Sequence, residues 1–154
     1  MDSKKYIDVS QNLIKAAEIA IESLKRFPPK EWDNVSFNHT LNCCFERLFL
    51  IKNPEPKYRN LRSLKYLEKE VFTRFQEGAG ENIEEFWRRI KEEGLPNKRT
   101  NKLKKILKLK KINNDFEYDF VIDVIVSYRQ EGLITEEEVI LLNKYLGVFE
   151  LKNM

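Results

Sequence analysis

Apolar residues recur every three to four positions along most of the chain, and short breaker clusters interrupt them. Tyr6, Val9, Leu13, Ala17, Ala20, Leu24 and Phe27 keep helical spacing until Pro28-Pro29, where a helix cannot continue. From about Ser36, Phe37, Leu41, Cys44, Phe45 and Leu48 follow the same period up to Asn53-Pro54-Glu55-Pro56. Tyr58, Leu61, Leu64, Leu67, Val71, Phe72 and Phe75 mark a third helix, closed by Gly78-Ala79-Gly80.

Two later segments carry capping signatures. Asn82 with Glu85 three residues on, before the stripe Ile83, Phe86, Trp87 and Ile90, predicts a helix over 83–93 with Asn82 as its cap. Gly94-Leu95-Pro96 then provides a stop. Thr135 and Glu138 repeat the capping box ahead of Val139, Leu142 and Leu146 and predict a helix over 135–147.

The stretch EYDFVIDVIVSY can be read in two ways. Tyr118, Phe120, Ile122, Val124, Val126 and Tyr128 alternate as in a strand, and β-branched residues are frequent. Asp119, Asp123, Ser127 and Gln130 nevertheless share one narrow helical stripe, and the segment is longer than an ordinary strand. A helix buried on most sides is the favoured reading. The expected fold is therefore all-α: a single-domain helical bundle of six to seven helices spanning 1–154.

Composition agrees with a packed protein, at 42% hydrophobic and 34% charged residues with five Gly and five Pro in 154 residues. No apolar run reaches the roughly 18 residues a membrane span needs, and MDSKKYIDVSQNL lacks the apolar core of a secretory signal. A cytoplasmic protein with no membrane contact is expected. Cys43 and Cys44 are neighbours and read as reduced thiols, since a bridge between adjacent residues is strained.

Charge changes the picture more than composition does. NKRTNKLKKILKLKK, residues 97–111, carries eight basic residues and no acid, whereas residues 112–150 hold nine acids against Arg129 and Lys144. If 101–112 is helical, Lys104, Lys108 and Lys111 share a face with Lys105 beside them, opposite Leu103, Ile106, Leu107 and Leu109. Such a basic amphipathic helix can be solvated or paired with the acids that follow it, can dock an acidic protein, or can touch phosphates. Lys57, Arg59, Arg62, Lys65, Lys69 and Arg74 form a second basic cluster.

Catalytic chemistry finds little support. His39, Cys43 and Glu46 fall on one side of a helix, but three neighbours on one helix leave little room for a substrate and an oxyanion hole. Asp119 and Asp123, one turn apart, could hold Mg²⁺, but a mostly buried helix would also need basic partners for them. No phosphate-cradling loop, HExxH run or EF-hand spacing occurs, and one His with two adjacent Cys falls short of a zinc set. No enzyme activity, cofactor or metal is expected.

The expected function is a protein-binding module, of the kind an immunity-type or anti-defence inhibitor would be, that occludes a partner enzyme. Its partner would carry an acidic patch, met by Lys98, Arg99, Lys104, Lys105, Lys108 and Lys111. The alternative is non-specific nucleic-acid binding through residues 101–112. A net charge of only +3 and a scarcity of base-reading side chains in that segment weigh against it.

Overall fold

The computed structural model describes residues 3–154. Among them it contains seven α-helices and no strand: α1 (Lys4–Arg26), α2 (Asn34–Lys52), α3 (Leu61–Glu77), α4 (Glu81–Glu92), α5 (Lys104–Leu109), α6 (Asp115–Gln130) and α7 (Glu136–Lys152). A single 3₁₀ turn, Pro56–Tyr58, precedes α3. The all-α expectation holds, including for EYDFVIDVIVSY, which lies wholly within α6. The helices gather into two compact units, the first ending at Lys98 and the second running from Arg99 to Met154.

In the first unit α1 packs against α2, α3 and α4. Its heptad-like apolar face buries Leu13, Ala16, Ala17, Ala20 and Leu24, and the small alanines allow close approach of the neighbouring helices. Ser3 caps α1 by accepting from the Tyr6 amide at 3.1 Å, and Asp33 caps α2 by accepting from the Ser36 amide at 2.7 Å. Asn60 does the same for α3, which therefore starts at Leu61; Tyr58, expected inside that helix, lies in the 3₁₀ turn.

Phe72, Phe75, Phe86 and Trp87 form an aromatic cluster where α3 meets α4, with the Phe75 and Phe86 rings stacked at 3.8 Å between centroids. Trp87 Nε1 donates to the Phe75 carbonyl at 2.7 Å in the interior. That carbonyl lies in the last turn of α3, where carbonyls lack intrahelical partners, so the indole acts as a tertiary cap.

One predicted cap moves. Asn82 does not cap α4; Gly80 precedes the helix at φ 120°, a conformation glycine tolerates, and α4 begins at Glu81. Asn82 is instead buried and donates through Nδ2 to the Phe27 carbonyl at 3.2 Å, tying α4 to the end of α1. Glu85, its expected reciprocal partner, is also buried and pairs with Arg26 and Arg88. Tertiary partners outbid the local capping box here.

In the second unit α6 and α7 pack together and α5 packs on α7. Leu103, Ile106, Val121, Val124, Tyr128, Leu142 and Leu146 supply its core. The Thr135–Glu138 capping box is present in both directions at 3.1 and 2.9 Å, and α7 continues beyond the expected end to Lys152. α6 is less buried than its apolar content suggests: Ile122, Val126 and Phe116 are exposed, whereas Ser127 turns inward and donates to the Val124 carbonyl.

Candidate functional site

The lysine-rich segment departs most from expectation. Helix α5 covers only Lys104–Leu109, not 101–112. Its start is delayed because residues 99–103 are tied down as a loop. Asn101 Nδ2 donates to the Leu133 carbonyl, and Asn101 Oδ1 accepts from the Leu103 amide at 2.8 Å. The end comes at Lys110, whose backbone turns left-handed at φ 60° while its amide bonds to the Ile106 carbonyl at 2.8 Å. Lys111 thus lies beyond the helix, and the expected shared face of Lys104, Lys108 and Lys111 does not form.

Arg99, expected at the surface with the lysines, is buried. Its guanidinium lies over the Tyr128 ring, 4.8 Å from the centroid, and Nη1 donates to Glu131 at 2.7 Å. A planar cation that can stack and fork at once is suited to such a site, where lysine is not. Lys98, Lys104, Lys105, Lys108 and Lys111 are all exposed. None of them forms an ion pair among the described residues. Three acids of 112–150 take other partners: Glu131 takes Arg99, Glu136 takes Arg129, and Glu150 accepts from the Tyr118 hydroxyl at 2.6 Å.

The turn at Lys110 creates a feature that periodicity did not reveal. A groove of about 470 Å³ runs between the end of α5 and one face of α7. Leu107, Ile112, Leu141, Tyr145, Val148 and Phe149 line it with apolar surface. Four lysines, Lys110, Lys111, Lys144 and Lys152, complete the lining, and no carboxylate does. On α7, Leu141, Lys144, Tyr145, Val148, Phe149 and Lys152 fall at i, i+3, i+4, i+7, i+8 and i+11, so one face of one helix supplies both floor and rim. Leu141 and Val148 are 41% and 44% exposed, so apolar surface in the groove is open to a partner.

A second cleft lies in the first unit between α2 and α3. His39, Cys43 and Arg47 line it from α2 at successive turns, and Tyr66, Lys69, Glu70, Thr73 and Arg74 face them from α3. His39 Nε2 and Cys43 Sγ are 3.8 Å apart. The expected third member, Glu46, is exposed and does not line the cleft; Arg47 holds that place and bonds Glu70 at 3.2 Å. Burial pushes the neighbouring Cys44 thiol above its ordinary range against the pull of Arg47 and Arg74, so it stays protonated.

Asp119 and Asp123 are both exposed on α6, so the expected burial of this pair does not occur. Among the described residues no group of three or more His, Cys, Asp or Glu side chains is placed to hold a metal ion, and no helix is long and apolar enough to cross a membrane. No protein-family model matches the chain, and no curated protein or solved structure does.

Proposed function

We propose that this chain is a protein-interaction module, and that the groove beside α7 captures an amphipathic, acid-bearing helical segment of its partner. The carrying observation is an apolar floor lined together with four lysines and no acid. A partner helix would lay aliphatic side chains at helical spacing onto Leu141, Tyr145 and Val148, the mode by which grooves bind amphipathic helices. Its flanking carboxylates would meet the ammonium groups, which speed encounter and set orientation more than they add affinity. Lysine suits this rim because its methylene stem covers apolar surface while its charge stays in water.

The same geometry favours a protein over a nucleic acid. A phosphate backbone rewards positive charge but leaves an apolar trough unfilled, and α5 offers lysines without the Arg, Asn or Gln that most often read base edges. The narrower reading, an immunity-type or anti-defence inhibitor that covers a partner enzyme, rests on the small helical scaffold and on segregated charge suited to rapid capture. It assigns no catalytic step to the chain.

Fluorescence anisotropy with a labelled synthetic helical peptide, leucines on one face and glutamates flanking them, tests the groove. Micromolar binding is expected, weakened roughly tenfold or more by Lys111→Glu with Lys144→Glu and left intact by Lys104→Glu with Lys105→Glu. Indifference to the Lys111 and Lys144 reversals would overturn the proposal. So would tighter binding of a labelled duplex of arbitrary sequence at physiological salt, with a steep log-linear salt dependence.

A further inference from the structure

The α2–α3 cleft combines several cations with very little compensating charge. Arg47, Lys69 and Arg74 line it against one carboxylate, Glu70. Glu70 is already engaged by Arg47 at 3.2 Å, and its carboxylate beside Tyr66 holds that phenol above its ordinary pKa. Nothing anionic is left for Arg74. Its guanidinium lies 4.3 Å from the centre of the Trp32 ring, an aromatic face in place of a carboxylate. Arg74 Nε is sealed from solvent without a hydrogen-bond partner.

This arrangement is costly as it stands. A partly buried guanidinium without a counter-charge is disfavoured, and the nearby Cys44 cannot supply one because burial keeps its thiol protonated. Burial, together with repulsion from Arg47, also holds the Arg74 pKa below the ordinary arginine value. The cleft is open to solvent, and its volume of about 640 Å³ falls within the roughly 300–1,000 Å³ of small-molecule sites. Thr40 adds a hydroxyl to its wall, Thr73 one that already donates to the Lys69 carbonyl at 2.6 Å, and Tyr66, 65% exposed, an open aromatic face.

We infer that the α2–α3 cleft binds the phosphate monoester group of a small molecule, with Arg74, Lys69 and Arg47 as the cationic ligands. Three cations against one committed carboxylate leave two positive charges, which match a dianion. Guanidinium groups give the stronger, directional contacts to phosphate oxygens, and Lys69 acts as a mobile point charge at the open side. The Tyr66 ring provides a platform for the organic part of the ligand. The site belongs to the first unit and makes no use of the groove proposed for protein capture.

Phenyl phosphate is the probe, titrated into ¹⁵N-labelled full-length protein while the arginine Nε–H resonances are followed. A saturable shift of the Arg74 resonance is expected, with amide shifts at Thr40 and Thr73 and none that saturate on α7. Arg74→Met should weaken binding roughly tenfold or more. Because Arg74 also packs on Trp32, Lys69→Met serves as the second variant, retaining the fold and losing several-fold in affinity, while Lys105→Met binds as the parent does. Three results would each overturn the inference: shifts reproduced by sodium chloride at matched ionic strength, benzoate binding as tightly as phenyl phosphate, or unchanged affinity in a folded Lys69→Met protein.

Discussion

Arg99 lies across the ring of Tyr128, guanidinium carbon 4.8 Å from the centroid, and reaches Glu131 from that position. The two partners of the ion pair are unequally buried, with the Arg99 side chain 3% and the Glu131 side chain 36% exposed. Removing either one should therefore have unequal effects. Glu131→Gln leaves a buried guanidinium whose Nε and Nη2 already lack partners, and should destabilise by about 2 kcal/mol, less than a fully buried pair would lose because water reaches the carboxylate. Arg99→Met keeps most of the packing and leaves a carboxylate that water can solvate. In urea denaturation Glu131→Gln should be the more damaging; the reverse order would mean that the stacking, and not the charge, holds the loop.

Trp87→Phe should cost about 2–3 kcal/mol, since it strands the buried Phe75 carbonyl and leaves a void beside Phe72 and Phe86. Guanidinium chloride unfolding would register this as a lower midpoint with little change in slope. A loss well below 1 kcal/mol would show that water replaces the indole N–H.

Asp33 links stability of α2 to acid. The Ser36 amide, then the Ser36 hydroxyl, hold its carboxyl below the ordinary carboxylate range. A depressed folded-state pKa contributes stability above the unfolded pKa and loses it as pH falls through the folded value. Asp33→Ala should thus melt at a lower temperature than the parent at pH 7, with the gap closing below pH ~4. Asp33→Asn, which caps without titrating, should keep a nearly constant advantage over Asp33→Ala across the same range, while its gap from the parent narrows in acid.

Gly147 sits inside α7, and a Cβ placed there meets nothing within 4 Å. Gly147→Ala should stabilise by about 0.5–1 kcal/mol by restricting the unfolded chain. Thermal denaturation checks the sign, and a lower melting temperature would mean that the space beside Gly147 is used by a neighbour.

Local periodicity made most of the helices legible, because each core stripe repeats at 3.6 residues whatever it packs against. The Thr135 capping box was readable for the same reason: all of its partners lie within four residues. What sequence reasoning missed depended on distant partners. Asn82 resembled a cap until the Phe27 carbonyl claimed it, and Arg99 resembled a surface cation until Tyr128 and Glu131 enclosed it. For the candidate groove, Lys111 was correctly placed at the surface, but Lys110, Lys144 and Lys152 were passed over. The available signal was α7 itself, whose aliphatic residues occupy more of its circumference than burial against α6 and α5 requires. Lys69 and Arg74 were visible as members of a basic cluster, but their meeting with Arg47 required the packing of α2 on α3.

The left-handed turn at Lys110 puts a long cationic side chain in a seat that glycine fills without steric cost. Glycine at that position would ease the backbone by about 1 kcal/mol and remove one ammonium group from the groove. Folding therefore favours glycine at a position where the proposed capture of an acid-bearing helix would favour lysine.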